Sequence, residues 1–285
     1  DNASTDGSGK RLEQEITNPR VAVFLNEKNL GYAGGNNLGV QLLRSAKVDY
    51  FWFLNADTLV EANSLTALVE AAELDEKIAA VGSKILYALP PREALINAAI
   101  AGLRGSQARV IWGAGGIVDR ASGTIEMRGW HEVDRGQYDD PTECDYVPGC
   151  SLLVRRTAID KVGGMPEEYF MFFEETDWCM RMKEAGYRVC FEPESLVWHR
   201  FDDSKMSEPT RTYYYNRARL LFWSRWGSLR VRLRMMWRLL TAELPGTKRA
   251  LRGASNDEER RIVSAHRFSY LDFIFGQFGR SRRAI

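Results

Sequence analysis

The sequence is poor in the residues that build metal clusters and disulfide frameworks. Four cysteines (Cys144, Cys150, Cys179 and Cys190) and three histidines occur in 285 residues. No C-x-x-C spacing and no paired-histidine pattern is present, so a disulfide scaffold and a zinc site are set aside and a reduced, cytosolic setting is expected. Long apolar runs are also missing. None reaches the ~18 residues of a membrane-spanning helix, and the polar opening from Asp1 to Ser8 predicts no signal peptide. Neither sign of charge is in excess: 39 basic and 38 acidic residues leave a formal net charge of +1, which argues against a nucleic-acid partner. There are no internal repeats and no low-complexity tracts.

What is present describes an ordinary globular chain. A hydrophobic content of 45% and a charged content of 27% exclude chain-wide disorder. The length suits one large domain, or a domain with an extension. Residues 21–25 read as a strand. The glycine- and asparagine-rich stretch 31–37 reads as a turn leading into a helix with Leu38, Leu42 and Leu43 on one face. Residues 50–54 are apolar throughout, as expected of a buried strand. Asn63 or Ser64 then caps a helix, and residues 78–85 form a further strand. Strand and helix alternate, which predicts an α/β fold with a mainly parallel sheet. A hairpin is expected over 113–130, a strand at 151–154, helices at 157–162 and 175–185, and a strand at 187–192. Beyond His199 the chain turns helical, and residues 211–238 are strongly basic. This divides it into a domain over 1–205 and a helical extension over 206–285.

Four segments carry chemistry. Asn55-Ala56-Asp57 ends the apolar strand, where an open sheet presents its ligands, and an aspartate there can give a hard oxygen to Mg²⁺ or Mn²⁺. Taken alone, an Asx turn or a helix cap is the commoner role of an aspartate at a strand end. Glu174, Glu175 and Asp177 open a helix. Glu174 and Asp177 share a face at i, i+3, and Glu175 points elsewhere. A carboxylate at a helix N-terminus is suited to accept a proton from a substrate hydroxyl, whereas Asp177 with Arg181 at i, i+4 also reads as an ion pair. His199 follows a strand, and a lone histidine is commonly structural. The glycines at 31–35 let backbone approach a phosphate or a base. In the extension, Leu229, Leu233, Met236, Trp237 and Leu240 form one stripe and Arg230, Arg234 and Arg238 another. Such a helix lies on an anionic membrane surface or packs against the catalytic domain.

Taken in order, Asp-Asn-x-Ser-x-Asp-Gly-Ser at 1–8, the Gly31-Tyr32-Ala33-Gly34-Gly35-Asn36-Asn37 stretch, Leu54-Asn55-Ala56-Asp57, Gly163-Gly164, Phe172-Phe173-Glu174-Glu175-x-Asp177-Trp178 and Trp198-His199 resemble the inverting family-2 glycosyltransferases. The resemblance is to their rhamnosyltransferase-like bacterial branch, with a Rossmann-like GT-A fold, over roughly residues 1–225. It implies a nucleotide-sugar donor (a dTDP- or UDP-sugar, rhamnose among the sugars) and a glycan or lipid-linked acceptor in cell-wall or surface polysaccharide synthesis. It also implies a cytoplasmic protein, peripheral at the inner face of the plasma membrane.

By position, Asp1 would read the donor's base, and Asn36 and Asn37 would lie near the nucleotide. Asp57 and His199 would hold Mg²⁺ or Mn²⁺, with Asn55 standing where many members have a second aspartate. Glu175 would be the catalytic base, with Glu174 and Asp177 beside it. Arg217, in Tyr213-Tyr214-Tyr215-Asn216-Arg217-Ala218, would face the diphosphate, although Ala218 replaces the asparagine of the pattern. The resemblance also implies an apolar strand, a helix and a second strand ahead of Asp1, so a chain starting there is expected to be a fragment. Two other readings are a non-catalytic binding module on the same fold and a sugar-nucleotide nucleotidyltransferase. The latter would need a glycine-rich phosphate loop with a basic residue near the start, and none is seen.

Overall fold

The structure, a computed structural model, describes residues 1–90, 109–200 and 206–283. The expected boundary between residues 205 and 206 falls at a segment outside the described residues.

Helix α1 (Ser8–Glu15) is followed by extended chain and then α2 (Gly31–Leu42). The apolar run at 21–25 forms no strand, contrary to expectation. No strand among the described residues pairs with it, and Val21, Phe24 and Leu25 stay exposed. A short apolar run makes no strand without a ladder partner. Strand β1 (Tyr50–Leu54) leads through a tight turn into the three-residue β2 (Thr58–Val60), then α3 (Ser64–Glu73) and β3 (Ile78–Tyr87). Every residue of β3 is buried, which marks it as the centre of the sheet. Short strands β4 (Ile111–Gly113), β5 (Gly116–Asp119), β6 (Thr124–Met127) and β7 (Thr142–Glu143) follow, with β5 and β6 making the expected hairpin. Strand β8 (Ser151–Arg155), helices α4 (Arg156–Val162) and α5 (Glu174–Glu184), and the long strand β9 (Arg188–His199) complete this part.

The main sheet runs β1-β8-β3-β9-β2, with β4 on β3 and β7 on β9. β1, β3 and β9 point the same way, and β3 and β9 pair directly in parallel. β8 lies antiparallel between β1 and β3, so the sheet is not wholly parallel. β8 is reached from β3 through a connection that includes the short strands β4–β7.

Helices α6 (Glu208–Trp226), α7 (Leu229–Arg238), a π-helical turn (Leu239–Glu243), α8 (Leu244–Gly253) and α9 (Asp257–Ile274) form the C-terminal part. Ser207 caps α6 by accepting from the Thr210 N–H, with Pro209 in the first turn where its missing donor is harmless. Asn256 caps α9 in a reciprocal box, accepting from Glu259 N–H while Glu259 accepts from Ser255. Leu221, Phe222, Trp223 and Trp226 of α6 join the same apolar core as Leu152, Val154, Met182 and Phe191. The helical extension therefore packs directly on the sheet domain.

Candidate active site

Asp57 and His199 meet because of strand register. β2 pairs antiparallel with the end of β9, matching Thr58 with His199. The Thr58 hydroxyl donates to the Asn55 carbonyl at 2.6 Å, closing the turn, and Arg200 N–H donates to the Asp57 carbonyl. The outcome is 3.2 Å between Asp57 Oδ1 and His199 Nε2, with His199 buried and Asp57 partly open to solvent. Trp112 stands edge-on to the His199 ring at 5.0 Å and to Trp130 at 5.5 Å. This aromatic wall was not read from the sequence, since neither tryptophan lies in a recognisable motif. A carboxylate oxygen and an imidazole nitrogen suit Mg²⁺ or Mn²⁺ chemistry. No group of three His, Cys, Asp or Glu side chains able to hold a metal ion occurs among the described residues. The pair accordingly fits a cation that takes its remaining ligands from a substrate's oxygens.

The carboxylates of α5 separate sharply. The run Phe170-Met171-Phe172-Phe173 carries left-handed backbone at Phe170, Phe172 and Phe173 (φ 68°, 70° and 70°). Bulky residues avoid that region, and such strain persists only where surrounding packing over-determines it. Here Phe172 and Phe173 pack on Tyr215, Phe173 also on Phe222, and Phe170 stacks on Tyr214. The bent run leads into the N-terminus of α5, with Glu174, Glu175 and Asp177 in its first turn.

Asp177 points into the core and is fully buried. Its Oδ2 accepts from Tyr169 Oη at 2.7 Å, Trp226 Nε1 at 3.1 Å and an Arg225 nitrogen at 3.2 Å. Its Oδ1 lies 2.6 Å from Arg181 Nε, the expected i, i+4 pair. So enclosed, Asp177 ties α5 to α6 and to the loop before α5. Glu174 is also buried, and its Oε2 has no hydrogen-bond partner among the described residues. Burial, then the charge of Glu175, push its carboxyl well above the ordinary range.

Glu175 is only half-buried. Burial raises it too, while backbone N–H groups of Glu175, Thr176 and Gly149 pull the other way. Gly149 is itself held by the Tyr32 hydroxyl, which donates to its carbonyl at 2.5 Å. Next along the chain, the Cys150 carbonyl accepts from Asn55 N–H at the end of β1. Burial raises the Cys150 thiol above its usual value, and the charges of Glu175 and Asp57 both add to that shift. The turn at Gly149-Cys150 thus joins the Glu175 side of the cleft to the Asp57 side. Tyr32 and this turn were missed from sequence, because nothing local marks a contact 117 residues away.

The expected nucleotide-side residues divide. Asp1 is exposed on the first loop and accepts from Ser4 N–H at 2.9 Å. Asn2 ties that loop to α2, donating to the Gly31 carbonyl and accepting from Leu30 N–H. Asn36 donates to the Tyr32 carbonyl one turn back. Asn37 is instead fixed on the loop before α5: its amide nitrogen donates to Met165 O and Glu167, and its oxygen accepts from Met165 N–H. Both ends of its amide are thus engaged within the chain. Arg217 is 1% exposed and donates to Tyr213 Oη and to the carbonyls of Tyr169, Gln277 and Gly279. Its guanidinium pins the C-terminal segment to the core.

The sequence profile of Glycosyl transferase family 2 matches residues 1–163, more than half of the chain. The chain belongs to that family. The N-acetylglucosaminyl-diphospho-decaprenol L-rhamnosyltransferase of Mycobacterium tuberculosis (strain CDC 1551 / Oshkosh) is 27% identical over 222 residues, covering 73% of this chain and 67% of that protein. Rhamnosyltransferase WbbL of Escherichia coli (strain K12) is 36% identical over 62 residues, covering 22% of this chain and 23% of that protein. This family-2 chain is thus rhamnosyltransferase-like in sequence. Its fold is similar to that of GalNAc-T7, solved with UDP, GalNAc and Mn²⁺, with a TM-score of 0.56 at 16% identity over 95% of this chain. The chain spans about half of that structure, 48%.

Proposed function

We propose that this family-2 glycosyltransferase is a metal-dependent, inverting enzyme. It moves a sugar, rhamnose among the candidates, from a dTDP- or UDP-sugar to a hydroxyl of a glycan or lipid-linked acceptor in cell-wall or surface polysaccharide synthesis. The observation that carries this reading is the convergence of the Asp57–His199 pair and the half-buried Glu175 on the two sides of the Gly149-Cys150 turn. The activity for which the mycobacterial relative is named, on a decaprenol-linked sugar, supports the sugar and the acceptor class.

In this reading Asp57 and His199 hold Mg²⁺ or Mn²⁺, whose positive charge, when bound, offsets the charge left on the departing diphosphate. Glu175 accepts the proton of the acceptor hydroxyl as that oxygen bonds to the anomeric carbon and the bond to the diphosphate oxygen breaks. One displacement of this kind inverts the anomeric centre. Tyr32 and Gly149 position Glu175. Asp1 and Asn36 line the nucleotide end of the cleft. Glu174 keeps to its buried place beside Glu175 and takes no proton from substrate.

The test is transfer by the whole protein with chelator and metal add-back, combined with NMR of the product's anomeric configuration. EDTA should abolish transfer, and Mn²⁺ or Mg²⁺ should restore it. Asp57→Ala should lose calorimetric Mn²⁺ binding without a change in melting temperature. Transfer indifferent to EDTA, or a product of retained configuration, contradicts the proposal.

A further inference from the structure

Helix α7 and the π-helical turn after it hold an apolar face that no part of the described chain covers. Leu229 is 72% exposed, Leu233 62%, Trp237 66% and Leu240 53%. Their spacing of four, four and three residues puts them on one side of the helix. The opposite side is anchored. Val231 and Leu239 are buried, Ser228 N–H donates to the Arg120 carbonyl, and Arg234 donates to the Ser122 carbonyl in the β5–β6 turn. The exposed face is therefore held outward by packing behind it, and does not result from fraying.

Charge identifies what this face meets. Arg230, Arg232, Arg234 and Arg238 are all exposed, and residues 228–242 contain no aspartate or glutamate; the next acid, Glu243, already lies 3.9 Å from both Arg238 and Arg219. On the helix Arg230 and Arg232 flank the apolar stripe on either side, while Arg234 and Arg238 lie further round, Arg234 donating to the Ser122 carbonyl. A symmetric contact with a second copy would set arginines against arginines with no acid within the stripe between them. An anionic bilayer satisfies both features at once: leucine and tryptophan enter the acyl boundary, and arginines meet the headgroups. No described helix is long and apolar enough to cross a membrane, which leaves a helix lying in the interface plane. We propose that this face docks the protein on an anionic phospholipid surface, with Trp237 at the boundary between headgroup and acyl chain. The proposal goes beyond the transferase reading and does not depend on it.

Vesicle flotation of the full chain decides it, using phosphatidylcholine alone and phosphatidylcholine with 30% phosphatidylglycerol, alongside light scattering without lipid. The account expects at least ~10-fold tighter binding to the anionic vesicles. Leu233→Asp with Trp237→Asp should lose at least ~10-fold of that binding, the melting temperature staying unchanged because both side chains are exposed. Arg230→Gln with Arg238→Gln should weaken anionic binding about fivefold per arginine. Equal binding to both vesicles, binding to neither, or unaltered binding by the Leu233/Trp237 variant overturns the proposal. A dimer in solution that this variant splits also overturns it, in favour of a second copy. Hydrolysis of a soluble nucleotide-sugar donor in lipid-free buffer should be unaltered in every variant, so a failure of docking is distinguishable from a failure of the transferase reading.

Discussion

Glu174, Glu175 and Asp177 occupy one helical turn and carry three different electrostatic situations. Asp177 is enclosed by two arginines, a tyrosine and a tryptophan. Glu174 has burial, an orphaned oxygen and a neighbouring negative charge. A carboxyl whose folded pKa lies above its unfolded value keeps its proton in the native state after the unfolded chain has released it. Stability therefore falls as pH rises from about 4.5 towards the raised folded value. Glu174→Gln should remove that loss: at pH 7 the variant should melt higher than wild type, and its unfolding free energy should fall less between pH 5 and pH 8. The slope that remains belongs to Glu175, which burial also raises. Melts across this range check the expectation, and a variant that melts lower at pH 7 with an unchanged slope contradicts it. The sequence made the Asp177–Arg181 pair legible through its i, i+4 spacing. It could not show that Arg225, Tyr169 and Trp226 close over the same carboxylate, because those contacts depend on how α6 packs.

Among the elements, those whose signal is local were readable and those fixed by register were not. β1, α3, β3, the β5–β6 hairpin, β8 and α5 lie within a few residues of expectation, because apolar periodicity and turn residues mark them. β2 was missed: three residues, two of them exposed, carry no pattern, yet their pairing with β9 is what brings Asp57 to His199. β9 was expected to stop near 192 and instead runs on to His199. The stretch at 31–37 was expected to be a turn, but α2 already begins at Gly31, with φ 77° at that residue. A Cβ there would sit 2.3 Å from the Phe170 carbonyl, the same carbonyl that accepts from Tyr32 N–H. Gly31→Ala should therefore cost about 2–4 kcal/mol, backbone strain and overpacking together. It should also weaken activity by displacing Tyr32 from Gly149. Urea denaturation is the check, and a loss below ~1 kcal/mol would show that the loop before α5 yields easily.

At the scale of the whole molecule, the α/β class and the order of chemical motifs were legible, since both follow the chain. The antiparallel insertion of β8 was not, because strand direction depends on the connection around it. Nor was the docking of the helical extension, whose α6 contributes to the central core and whose Arg217 ties down residues 277–279. In the proposed reading these long-range placements make a single cleft, with the Asp57–His199 pair on one wall and Glu175 on the other. The most direct test of that cleft is steady-state transfer by Glu175→Gln beside Asp177→Asn, with donor binding measured by calorimetry. Glu175→Gln should lower turnover at least ~10²-fold, keep the wild-type melting temperature and bind donor almost normally, as expected for loss of a general base. Asp177→Asn should act mainly through stability, losing at least ~2 kcal/mol, less than a fully buried pair because both arginines are partly exposed. Near-normal turnover by Glu175→Gln, together with a well-folded but inactive Asp177→Asn, would contradict the account and make Asp177 the base.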